Sequence, residues 1–210
     1  MPRSHASSSP RQQRTRTRIA QVTARLIAEH GLSDWSAAKR KACRELGLPE
    51  EGEWPGNDEV EQALHEYNSL FRPTAHAASL REQRTEALHW LELLKPWKPV
   101  LTGAVAAGWA TPHSDLSLEL EADEAKEVEL ALLNAGIRYG PAASRSEGNW
   151  ATQLRIDDAA QPVRLTIMTP AQRRNRARRV DEVRLNEREL RALLAAEPAA
   201  GPAAGSAAAD

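Results

Sequence analysis

Two features of this sequence could do chemistry by residue type and spacing. Arginines fall in runs free of acids: Arg3, Arg11, Arg14, Arg16 and Arg18 in residues 1–18, and Arg173, Arg174, Arg176, Arg178 and Arg179 in residues 173–179. A guanidinium forms paired hydrogen bonds to phosphate oxygens, so these runs could meet a nucleic-acid partner; the same pattern is also the ordinary make-up of a solvated face. The second feature is Leu101-Thr102-Gly103-Ala104 followed, after Gly108, by Ser114-Asp115-Leu116-Ser117-Leu118-Glu119-Leu120. Small residues end one apolar segment, and an acid opens a segment that alternates. A strand repeats every two residues, so Asp115, Ser117 and Glu119 share a face. The first two are then about 6.6 Å apart at Cα, and Asp115 and Glu119 about 13 Å.

Several other chemistries are excluded. Cys43 is the single cysteine, so the chain has no internal disulfide and no cysteine-based zinc site; beside Trp35, Ala38 and Ala42 it reads as a small packed residue. The six histidines show no ligand spacing, and His113 reads as a loop residue. With 28 basic against 29 acidic side chains and 41% hydrophobic residues, the 210-residue chain has the composition of an ordinary soluble domain with modest extensions. No stretch reaches the roughly 18 to 20 apolar residues of a membrane span, so no membrane partner is expected. The start, Met1-Pro2-Arg3-Ser4-His5, lacks the apolar core of a signal peptide, and the expected compartment is cytoplasmic.

The elements that must position these residues change character midway. Ile19, Val22, Leu26 and Ile27 repeat at helical spacing up to Gly31, and Trp35, Ala38, Ala42 and Leu46 do so up to Gly47, with Ser33 or Asp34 as the cap. Asn57 is the expected cap of a third helix whose buried face is Val60, Leu64, Tyr67 and Phe71; a longer helix from Leu80 ends near Pro96. Thereafter short strands are expected at 99–103 and 114–120, a helix over 123–134 stopped by Gly136, and a hairpin of 150–156 with 163–167. Asn186 and Glu189 form a capping box for a last helix. The expected architecture is α+β: a disordered basic arm over 1–14, a helical region over 15–95, a small mixed-sheet domain over 96–194 on which the helices pack, and an Ala/Gly/Pro tail over 195–210.

The Gly103 and Asp115 stretch resembles the nucleotidyltransferase superfamily, the polymerase-beta-like fold. There a strand ends in Gly-Ser or Gly-Gly, and a following strand carries Asp-x-Asp or Asp-x-Glu. The resemblance spans about residues 85–170. With the helical N-terminal region it is similar to a small bacterial group with a degenerate motif. It implies binding of a nucleoside triphosphate, with phosphates cradled around Gly103, Ala104 and Ser114, Mg²⁺ held by Asp115, and Asp115, Ser117 and Arg164 at the catalytic positions. It also implies that Asp115→Ala weakens Mg²⁺-dependent nucleotide binding. Ala104 stands where the family has Ser or Gly, Ser117 replaces the second carboxylate, and Arg164 aligns with the third. An arginine repels a metal ion, so the resemblance implies a nucleotidyltransferase if active, and more readily a catalytically impaired pseudoenzyme. Arg164 or the Arg173 cluster would then take over charge neutralisation.

A different class of function comes from the N-terminal half. Ile19 to Leu48 is similar to the opening of tetracycline-repressor-type helix-turn-helix proteins, but Asp58, Glu59, Glu61 and Glu66 make the next helix acidic, which opposes entry into a phosphate-lined groove. The alternative expectation is therefore a non-catalytic nucleic-acid-binding or interaction module using Arg14, Arg16 and Arg18 together with Arg173, Arg174, Arg176, Arg178 and Arg179.

Overall fold

A computed structural model describes residues 10–32, 34–49, 54–142, 151–176 and 182–197. It is an α+β protein with helices first and a five-stranded mixed sheet after them, and it divides into two compact units between His76 and Ala77. That boundary falls earlier than the expected 95/96. Leu80, Ala87, Trp90 and Leu91 of the fourth helix, with Leu94 just after it, are buried in the same core as the sheet, so this helix belongs mainly to the second unit.

The first unit holds α1 (Pro10–His30), α2 (Trp35–Glu45) and α3 (Asn57–Phe71). Helix α1 begins four residues before the expected end of a disordered arm; proline at its first position loses no hydrogen bond, because that amide would be unpaired anyway. Residues 1–9 lie outside the described residues. Ile19, Leu26, Ala42 and Cys43 form the core where α1 meets α2. Gly31 and Gly47 close these helices with φ of 63° and 64°, which a side chain would strain. Asp34 caps α2, its carboxylate accepting from the amides of Ser36 (2.9 Å) and Ala37 (3.2 Å); Ser33 is outside the described residues.

Helix α3 departs from expectation at both ends. Its cap is Gly56, whose amide donates to Glu59 at 2.6 Å, while the Asn57 side chain instead accepts from Lys39 Nζ at 2.9 Å. Lys39 also donates to the Pro55 carbonyl at 2.7 Å and so ties α2 to the start of α3. Val60 and Leu64 are buried as expected, but Asn68 takes the next inward place on that stripe; Tyr67 is half-buried and Phe71, in the last helical position, is 68% exposed.

In the second unit, α4 (Pro73–Leu93) leads through a short turn at Lys95–Trp97 into β1 (Val100–Thr102), α5 (Gly103–Ala107), β2 (Leu116–Glu121) and α6 (Ala125–Asn134). Then come β3 (Gly140–Pro141), β4 (Thr152–Ile156), β5 (Val163–Met168), α7 (Pro170–Asn175) and α8 (Glu187–Ala196). Between α6 and β3, Ile137 and Tyr139 pack on the core, and pairing with β4 begins at Gly140. The last helix runs to Ala196, past the expected start of the tail, and is held there by Arg81, which donates to the Leu194 carbonyl at 2.8 Å. Residues 198–210 are outside the described residues.

The strand order is β1-β2-β5-β4-β3, with β2 and β5 parallel and the other pairs antiparallel. One face carries Leu116, Leu118 and Leu120 of β2 against Val163, Leu165 and Ile167 of β5, with Leu154 and Ile156 of β4, and all are buried. The alternate residues form a polar face: Thr102, then Ser117, Glu119 and Glu121, then Arg164 and Thr166, then Gln153 and Arg155. No helix among the described residues is long and apolar enough to cross a membrane.

Candidate functional site

The polar face brings the motif residues together at the N-terminal end of β2. Ser117 pairs with Thr102 of β1 on one side and Arg164 of β5 on the other. Gly103 follows Thr102 at φ 69°, and a Cβ placed on it would lie 3.5 Å from the Cβ and Oγ of Ser117. The turn is therefore a left-handed glycine set directly against the serine. Ala104, second in the short helix α5, packs partly on the core, its carbonyl accepting from the amides of Gly108 and Trp109.

Asp115 stands one residue before β2. Its Oδ2 accepts from Arg164 Nη2 at 2.9 Å and from Arg155 Nη1 at 3.0 Å. The three side chains keep 22%, 35% and 34% of their surface exposed, so the cluster is open to solvent at its rim. Arg155 also donates from Nε to Asp157 at 2.6 Å, and that bond, with the charge of Asp115, raises its pKa and keeps it cationic. Ser114 is spent locally: its Oγ accepts from the Thr111 amide at 2.9 Å and its amide donates to the Thr111 carbonyl, closing a turn that aims the chain into β2.

Further along the face, Glu119 is buried and ion-paired to Arg184 (2.6 Å) and to Arg176, with Glu182 beside them. Glu121 pairs with Lys98 (2.9 Å) and Arg173 (3.5 Å). Glu119 thus shares a face with Asp115, as alternation requires, but its charge is committed elsewhere. Arg155, Arg176 and Arg184 carry much of the electrostatics here; Arg155 and Arg184 were not among the expected residues, and Arg176, expected in a basic cluster facing nucleic acid, is instead paired with Glu119 and Glu182. The alternation of β4 does put Arg155 on this face, since Leu154 and Ile156 must point to the core; Arg184 has no such local signal.

The arrangement does not fit Mg²⁺ held by protein carboxylates. One carboxylate is in place, two guanidiniums occupy it, and the positions that should supply further acids hold Ser117 and Arg164. Among the described residues no group of three or more His, Cys, Asp or Glu side chains could hold a metal ion. What the cluster can do is offer two planar cations, side by side, to an anion able to displace or share Asp115.

The other arginines divide. Arg16 is paired with Glu59 at 2.6 Å, Arg173 with Glu121, and Arg176 with Glu119 and Glu182, whereas Arg14, Arg18 and Arg174 are exposed. Arg178 and Arg179 lie outside the described residues. No known family, curated protein or solved structure matches this chain.

Proposed function

We propose that this protein is a catalytically impaired relative of the nucleotidyltransferases that binds a nucleoside triphosphate, with arginine side chains supplying the positive charge that metal ions supply in the active enzymes. The observation that carries the reading is the placement of Arg164 level with Ser117 in the β2–β5 ladder, with Arg164 and Arg155 both gripping Asp115 beside the Gly103 turn. Each guanidinium has five donors and spends only some of them on Asp115 and Asp157, so a phosphate can be bound while the fold is kept. In-line nucleotide transfer would require stabilisation of both attacking and leaving oxygens, which two-metal sites provide and a single carboxylate does not. Binding without transfer is therefore the function this constellation supports best.

Titration calorimetry with each nucleoside triphosphate tests this. The expected result is binding that persists when EDTA replaces Mg²⁺ and that Arg164→Gln weakens about tenfold, the equivalent of about 1.4 kcal/mol. Binding that vanishes with EDTA, or measurable nucleotide transfer to an acceptor, would contradict it.

A further inference from the structure

At the opposite end of β2, about 20 Å along the strand from Asp115, lies a cleft of about 660 Å³. Its volume is within the range of small-molecule sites. Six cations line it from four separate segments: Lys95 and Lys98 around the turn before β1, Arg173 of α7, Arg184, and Arg188 and Arg191 of α8. Leu91, Pro99 and Val100, all buried, form an apolar floor, and Glu187 is the acid in the lining.

The charges do not cancel. Lys95 and Arg191 share Glu187 at 3.2 and 3.0 Å, and Arg191 also reaches Glu92 at 2.6 Å. Lys98 and Arg173 share Glu121, and Arg184 shares Glu119 with Arg176. Each of these carboxylates serves more than one cation or lies outside the lining, and exposed Arg188 makes no ion pair among the described residues. Converging cations over an apolar floor suit a ligand with several negative charges at one end and an organic body at the other.

The geometry points to a second anion site in this cleft, one that takes an organic polyphosphate, its phosphates among Lys95, Arg188 and Arg191 and its organic part over Leu91, Pro99 and Val100. Phosphate is favoured over a single carboxylate because it carries more charge and offers three acceptor oxygens to arginine forks. The lining holds no aromatic side chain on which successive bases could stack, which weighs against a nucleic-acid strand. This site is independent of the Asp115 cluster and stands whether or not that cluster binds nucleotide.

The test uses the full chain with inorganic tripolyphosphate, ATP and a short single-stranded RNA as probes. Calorimetry is expected to show salt-sensitive binding of tripolyphosphate and of ATP that Lys95→Ala with Arg188→Ala weakens about tenfold or more. Both side chains are exposed, so the fold tolerates their loss. Amide NMR shifts are expected to move at residues 187–191 on addition of tripolyphosphate, which separates this cleft from the cluster around Asp115, Arg155 and Arg164. No binding, binding indifferent to the paired substitution, shifts confined to the Asp115 cluster, or binding of RNA alone would each overturn the assignment.

Discussion

Arg164 lies level with Ser117 in the parallel β2–β5 ladder and donates to Asp115 at 2.9 Å. A carboxylate where the resembled family gathers metal is thereby tied to a cation on the very strand expected to bring another acid. The centre of this polar face is thus one carboxylate held between two guanidiniums from the neighbouring strands β5 and β4.

The paired arginines share one acceptor, so their effects on stability should not add. Arg155→Ala or Arg164→Ala alone is expected to cost about 0.2–1 kcal/mol, as for other partly exposed ion pairs. The double substitution leaves Asp115 without either partner, and a double-mutant cycle in urea should return a coupling of about 0.5 kcal/mol or more. A coupling of zero would mean that the two guanidiniums do not act on the same carboxylate.

Gly103 has room for a methyl group, since the nearest atoms to a Cβ are at 3.5 Å, but its φ of 69° does not suit one. Gly103→Ala is therefore expected to cost about 1–2 kcal/mol through backbone strain rather than collision. Asparagine, which tolerates the left-handed region better, should cost less. Urea denaturation of both variants checks the order, and an alanine variant as stable as the parent would argue against this turn geometry.

Much of this was legible in the sequence, and the reasons are local. Glycine at 31, 47 and 136 marks three helix ends because only a left-handed residue closes them cheaply, and each has positive φ. The alternation in β2, β4 and β5 names the buried face, and the Asn186 box starts α8 where expected. The coming together of Gly103, Asp115, Ser117 and Arg164 follows from that alternation plus one parallel pairing. What stayed hidden depends on distant partners. Tyr67 and Phe71 fit an apolar stripe but do not fill it, because burial depends on what faces the helix and not on its own period. The pairing of Arg176 and Arg184 with Glu119 joins residues more than fifty positions apart, which no spacing rule reports. The unit boundary likewise moves to 76/77 because α4 donates its apolar face to the sheet.

Lys39 is nearly buried and holds the Pro55 carbonyl and the Asn57 side chain. Burial lowers its pKa, partly offset by Glu59 and Asp58. Lys39→Met keeps the stem but leaves two acceptors without a donor, so a loss of about 1–3 kcal/mol is expected in the unfolding of the first unit. Calorimetric or urea unfolding that shows no change would contradict the bridging role of this lysine.

The pH dependence of the second unit should carry the signature of Glu121. The hydrogen bond from Lys98 lowers its pKa, with further help from Arg173 and Arg174. A carboxyl lowered in the folded state stabilises fully above its unfolded value of about 4.3, and that contribution is lost as pH falls through the folded value. Urea midpoints taken from about pH 6 down to about pH 3 should therefore fall less steeply in Glu121→Gln than in the parent chain. Parallel curves would show that this ion pair does not form.

The measurement that bears most directly on the arginine-based reading is triphosphate affinity in Asp115→Asn. Removing the charge between Arg155 and Arg164 while keeping the side-chain shape releases both guanidiniums and removes an anion that repels phosphate. Affinity by titration calorimetry is expected to rise, by about tenfold if the full competition is relieved, and to be the same with Mg²⁺ or EDTA. A loss of affinity in Asp115→Asn, together with a requirement for Mg²⁺, would mean that Asp115 serves as a metal ligand and that arginine does not stand in for metal at this site.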